Sequence, residues 1–253
     1  MPLTPSHAAA VLPLARTRLP LPALVVGSVA PDLPYYLPLP VAATTTHGLS
    51  GLWADVLLGG AVLAVYAYVL RAPLYALAGR GPAPPVRVPR SAGEAVRALA
   101  LTAAALAVGA ATHMAWDSFT QTGGALVRAW PVLSTPVVGP HLLHNVLVYA
   151  GSALGLAALA WWVRPRRGRR TVPHAARTGR GGPEAGGRVC TAALAAVAVC
   201  AAAGAVAGGL SERAAVGGYD LVRCLLVGAL TGTGAGLVAW TAAWWARFPG
   251  TAR

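Results

Sequence analysis

Apolar residues fall along this 253-residue chain in five long runs, not in the alternating or amphipathic patterns of a water-soluble fold. The runs cover 52–70 (extending as far as 78), 98–116, 142–163, 189–210 and 224–245. A helix needs about 20 mostly apolar residues to cross the hydrocarbon core of a bilayer, and all five reach or approach that length. Trp53, Trp116, Trp161, Trp162, Trp244 and Trp245 stand at their ends, where the amphipathic indole favours the membrane interface. The pattern predicts an all-α integral membrane protein with about five transmembrane helices.

The first 50 residues hold only shorter apolar stretches. Thr4-Pro5-Ser6 marks a helix start, with a capping hydroxyl and a proline in the first turn. The stretch behind it stops by Leu14, and Arg16 and Arg18 follow; a second, 21–30, ends at Pro31-Asp32. Neither can span a bilayer. They are expected to form two short helices or a re-entrant hairpin, which lipid tolerates only when buried against other helices. Near the other terminus Gly228, Gly232 and Gly236 recur at every fourth position, lining one helix face so that a neighbouring backbone can approach closely. The expected division is a membrane domain over 1–163, a connecting loop over 164–188 and a two-helix membrane hairpin over 189–246.

Charge fixes an orientation. Apolar residues make up 56% of the chain and charged ones 11%, against about 25% charged in soluble domains. The net charge of +13 comes from arginine alone, with no lysine. Spread over one surface, such a charge would suggest nucleic-acid binding. Here it is segregated between the apolar runs, so no nucleic-acid partner is expected. Arg71, Arg80, Arg87, Arg90 and Arg97 separate the first two runs, and Arg164, Arg166, Arg167, Arg169, Arg170, Arg177, Arg180 and Arg188 separate the third and fourth. Arg247 and Arg253 lie in the tail, whereas the remaining connections are poor in charge, with Arg128 in one and Arg213 in the other. Positive-inside topology puts the arginine-rich connections and the C-terminus in the cytoplasm. The 164–188 loop is then expected to lie disordered beside anionic lipid. Abundant Ala, Arg and Gly without lysine point to a bacterium with GC-rich DNA, and thus to a multi-pass protein of its cytoplasmic (inner) membrane. Cys190, Cys200 and Cys224 lie in or beside apolar runs and are expected to act as small hydrophobes.

Ionisable residues at membrane depth are costly and mark function by default. The candidates are His7, Asp32, His47, Asp55, His113, Asp117, His141 and His144. His113 and Asp117 are four apart and His141 and His144 three apart, so each pair shares a helix face. The topology places His47, Asp55, His113, Asp117, His141 and His144 at one extracytoplasmic face. Histidine and aspartate converging from several helices are ligand chemistry for zinc or a similar divalent ion, which can bring the pKa of a water to about 7. Plainer roles compete: a helix-start position for His7 and Asp55, a turn between prolines for Asp32, a structural hydrogen bond for the His113 and Asp117 pair, and interfacial polarity for His47, His141 and His144.

Four segments carry a resemblance: Thr4-Pro5-Ser6-His7-Ala8, Ala30-Pro31-Asp32-Leu33, Thr46-His47-Gly48, and His113-Met114-Ala115-Trp116-Asp117-Ser118-Phe119-Thr120. They resemble a bacterial membrane family catalogued as a domain of unknown function. That family is similar to inner-membrane proteins described as LexA-binding and assigned as metal-dependent hydrolases. The similarity covers roughly residues 1–165. It implies a metal site at His7, Asp32, His47, His113 and Asp117, with Asp32 or Asp117 as the catalytic carboxylate. Gly48 replaces the serine of the wider group, and Gln121 stands where a histidine is expected. The resulting expectation is a membrane-embedded metal-dependent hydrolase, using zinc or another divalent metal on a phosphoester or lipid-linked substrate. A non-enzymatic polytopic protein, for ion or metal transport or for partner binding, is the alternative.

Overall fold

The computed structural model describes residues 3–79, 82–164 and 187–248; most of the expected arginine-rich loop lies outside the described residues. Among these residues five helices are long and apolar enough to cross a membrane: Leu49–Leu77, Ala92–Ala129, Leu143–Val163, Gly187–Gly209 and Asp220–Arg247. Rows of large apolar side chains point outward from them, among them Leu99, Leu154, Val199 and Val238. Lipid, not water, is the solvent such surfaces require. The chain is a multi-pass membrane protein.

We label the helices α1 (Leu21–Gly27), α2 (Leu52–Val65), α3 (Ala92–Thr120), α4 (Leu143–Val163), α5 (Gly187–Gly209) and α6 (Gly218–Arg247). The only sheet among the described residues is a two-stranded hairpin, Pro136–Val138 against His141–Leu142, turned at Gly139 with φ 55°. The chain divides into two compact units, Met1–Ala64 with Arg87–Arg169, and Val65–Val86 with Arg170–Arg253.

In the first unit the short N-terminal segments are buried. A 3-10 turn, Thr4–Ala9, packs on α4, and α1 packs on α3. Val11, Ala23, Leu24, Ala105 and Leu106 form the core of this contact. Two glycines make it a backbone-to-backbone crossing: a Cβ on Gly27 would lie 2.2 Å from the Leu106 carbonyl oxygen, and one on Gly109 2.3 Å from that of Leu24. Gly155 of α4 does the same for Ser6, where a Cβ would fall 2.8 Å from its carbonyl oxygen. Arg16 and Arg18 are exposed in the turn before α1. Helix α3 begins earlier than its apolar run, because Ser91 caps it by accepting from the Glu94 N–H at 3.2 Å.

In the second unit the helix continuing from α2 passes through a π turn, Tyr66–Leu70, just ahead of Pro73. Proline has no N–H for the carbonyl four residues back. That carbonyl, on Val69, instead accepts the Trp245 indole N–H at 2.9 Å, and Pro73 O accepts from Trp240 at 2.8 Å. The expected interfacial belt is therefore corrected at its end: Trp244 is buried and Trp245 is bonded to backbone within the unit. Helix α6 also starts earlier than its apolar run and takes in Asp220 and Arg223.

Helices α5 and α6 meet along their glycines, as the four-residue spacing predicts. A Cβ on Gly228 would sit 2.1 Å from Gly204 O, and one on Gly232 2.0 Å from Cys200 O. Gly228→Ala is therefore expected to lower stability by about 2 kcal/mol or more. Gly234→Ala, whose Cβ meets nothing within 4 Å, should stay within about 0.5 kcal/mol of wild type. Thermal unfolding in detergent compares the two, and equal losses would mean the glycine face is not the contact.

Candidate metal centre

Helix α3 supplies the frame of the site. Gly109, His113 and Asp117 lie one turn apart on the face that meets α1. Because Gly109 lets α1 touch α3, the Ser28 carbonyl just after α1 reaches His113 and accepts from its Nδ1 at 2.9 Å. A carbonyl only accepts, so the proton is on Nδ1 and the Nε2 lone pair faces the other way. His47 is set identically, with Nδ1 on Ala43 O at 2.9 Å. Orienting an imidazole through a carbonyl on its far nitrogen is the usual support for a metal-ligating histidine.

Asp32 follows α1 in the Ala30–Asp32 turn and is buried. Its Oδ2 accepts from the Thr4 hydroxyl at 2.5 Å, and Tyr36 OH lies 2.8 Å from that hydroxyl oxygen. The carboxylate can only accept, so Thr4 donates to it and Tyr36 donates to Thr4. Thr4 was expected to cap the first helix and instead orients this carboxylate. His7 comes from the Thr4–Ala9 turn, which Ser152 of α4 anchors by accepting from Leu3 N at 3.0 Å. Its ring stacks on that of His113, with centroids 3.8 Å apart.

These five side chains converge. His47 Nε2 lies 3.4 Å from Asp32 Oδ1 and 3.7 Å from Asp117 Oδ2. His113 Nε2 lies 3.6 Å from Asp32 Oδ1 and 3.5 Å from Asp117 Oδ2, and His7 Nε2 lies 3.8 Å from Asp117 Oδ1. The separations exceed hydrogen-bond range. Ligand atoms about 2.1 Å from a shared tetrahedral ion stand about 3.4 Å apart, close to what is seen. Two sets, His7 with Asp32 and His113, and His47 with His113 and Asp117, each hold their ligand atoms within 4.8 Å of one another. Both use His113.

Several polar atoms of the five side chains are also orphaned. Asp32 Oδ1, His47 Nε2, His113 Nε2, Asp117 Oδ1 and His7 Nδ1 are buried without a hydrogen-bond partner. Each such atom costs about 1–3 kcal/mol when left unsatisfied. Burial, with the His113 ring beside it, pushes the His7 pKa down to about 4, so its imidazole is in the neutral, ligating form at pH 7. Burial also raises the Asp32 carboxyl, but His47, His113 and Thr4 outweigh it and hold the group below its ordinary value. The residues present fit a divalent cation by atom type, spacing and protonation.

The other candidates stand outside the two ligand sets, although Asp55 is near enough to His47 and His113 to interact with them electrostatically. His141 is exposed and meets Tyr149 edge-on. His144 is buried with Nδ1 3.0 Å from Leu133 O, and Asp55 is buried with both oxygens unpartnered, but neither belongs to the two ligand sets. Of the residues expected at one face, the ligand sets take His47, His113 and Asp117, together with His7 and Asp32.

A cleft of about 840 Å³ opens beside the cluster, and His47 and Asp117 line both. Its wall also holds Ser118, Gln121 and Arg128, which motif and spacing did not single out as binding groups. Residues 1–242 match the model of a family described as a domain of unknown function, DUF4184. No curated protein and no solved structure matches the chain.

Proposed function

Because the chain belongs to DUF4184, a family of unknown function, its activity has to be argued from the site itself, and we propose a membrane-embedded, metal-dependent hydrolase. One observation carries this reading: His7, Asp32, His47, His113 and Asp117, four of them buried, bring their ligand atoms together in two overlapping sets, while backbone carbonyls and Thr4 hold three of them from behind. His7, Asp32, His47, His113 and Asp117 would hold the ion, zinc or a similar divalent metal. When bound, such an ion supplies Lewis acidity and a water acidified to near neutral pH.

The chain's own residues divide the remaining work. Asp32, fixed by Thr4 and away from the cleft wall, positions charge. Asp117 borders the cleft and is the carboxylate placed to take a proton from a water there. The substrate is a phosphoester or lipid-linked molecule, reached from the membrane face. The resemblance of four segments to the LexA-binding inner-membrane group, with Gly48 and Gln121 departing from its pattern, is what suggests this chemistry. The arginine distribution supports a bacterial inner-membrane location, with the site on the extracytoplasmic side and anionic lipid against the arginine-rich loops.

The test is hydrolysis of phosphoester substrates by detergent-purified protein. Activity is expected to disappear with chelator and return with added divalent metal. Asp117→Asn is expected to lower turnover about 10²–10⁴-fold. Metal-independent turnover, or an Asp117→Asn variant as active as wild type, would overturn the reading. A cluster that only locks helices as an ion-pair network would give no metal-dependent turnover at all.

A further inference from the structure

Besides the cluster residues His47 and Asp117, the cleft is lined by small and apolar side chains of the spanning helix α3 and by polar groups at and beyond its end. Ala111, Met114, Ala115 and Ser118 are spaced three and four apart on α3 and share one face. This face leads from the helix end back toward the middle of the span, and its alanines leave open space. At the helix end stand Gln121 and, beyond it, Arg128.

These two groups call for an anion. Arg128 is exposed, donates to the Gly123 carbonyl and makes no ion pair among the described residues. Most of its five N–H donors are left for a ligand. Gln121 Nε2 is a buried donor with no hydrogen-bond partner. The carbonyl end of α3 favours cations, so an anionic group here depends on Arg128 and on the centre beside it. A guanidinium fork matches phosphate oxygens in particular.

We infer that the cleft takes a phosphate-bearing amphiphile, with Arg128 and Gln121 holding the phosphate headgroup and the Ala111–Met114–Ala115 face of α3 carrying its hydrocarbon chain. This names the substrate class of the site proposed above and rests on that reading for its chemistry, but not for binding. Polar headgroup contacts sit at the end of the span and apolar contacts toward its middle, the order in which a bilayer presents a lipid.

Binding of dioleoyl phosphatidic acid, dioleoylglycerol and inorganic phosphate to full-length protein in neutral detergent micelles tests this, with metal content read on the same samples. Phosphatidic acid is expected to bind saturably, and the other two at least about tenfold more weakly. Arg128→Gln should weaken it about tenfold or more, Arg128→Lys by less, and Met114→Trp, which fills the track, should also weaken it. Unchanged metal content and monodisperse elution show that the variants fold. Equal binding of phosphatidic acid and dioleoylglycerol, or indifference to Arg128→Gln, would overturn the headgroup assignment. Inorganic phosphate binding as tightly as phosphatidic acid, with no effect of Met114→Trp, would overturn the chain track. Metal without phosphate selectivity sinks this inference and leaves the hydrolase reading; Arg128-dependent lipid binding in metal-free protein does the reverse.

Discussion

Valine at position 109 is expected to abolish metal binding without altering a single ligand. Its Cβ would lie 2.3 Å from Leu24 O, 2.7 Å from Ser28 N and 2.9 Å from Gly27 C. All three are backbone atoms, so no side-chain rotation relieves the clash and α1 itself has to move from α3. Ser28 O then leaves His113 Nδ1, and Asp32, four residues further on, leaves the cluster. The expected loss is on the order of 3 kcal/mol in stability, with metal occupancy falling with it. Gly60→Val is the matched control, because a Cβ there meets nothing within 4 Å. Metal content and thermal unfolding of both variants check this. Normal metal content in Gly109→Val would show that the α1–α3 contact does not build the site.

His113→Ala has the second large effect. His113 is the one residue common to both ligand sets. Losing a metal's supporting shell alone costs about 10–100-fold in affinity, so loss of this ligand should cost at least about 100-fold. The variant also leaves Ser28 O without its donor, which by itself costs about 1–3 kcal/mol. His144→Ala separates the two effects. His144 is equally buried and places Nδ1 on a carbonyl in the same manner, 3.0 Å from Leu133 O, but belongs to neither set. It should lose similar stability and no metal affinity. Competition titrations against a chelator read affinity, and equal affinity losses in the two variants would contradict the assignment.

The five spans were legible because lipid demands long apolar runs and little else, and α4 and α5 keep those limits to within two residues. Helices α3 and α6 run beyond theirs. A capped, charged first turn such as Ser91 to Glu94 is still good helix, though hydropathy does not register it. Trp244 shows the limit of the aromatic-belt rule, since a ring near a span's end can equally fill an interior contact. At the site, His113 and Asp117 announce themselves by four-residue spacing. His7, Asp32 and His47 stand out only as ionisable residues in apolar surroundings. What gathers them is the crossing at Gly27 and Gly109 and the seating of Ser6 on Gly155. Those are contacts between distant segments, and local periodicity carries no trace of them. Gln121 was legible only as a departure from a motif and Arg128 only as a lone charge in a connection, because the cleft that joins them is built by distant segments.

The central claim is that the His/Asp cluster holds a divalent ion, and inductively coupled plasma mass spectrometry of the detergent-purified wild-type protein tests it most directly. The expected result is near-stoichiometric zinc or another divalent metal, lost in His113→Ala and in Asp117→Ala. Well-folded wild-type protein that carries no metal, even after reconstitution with excess divalent ion, would contradict it and leave the cluster as an ion-pair network joining helices.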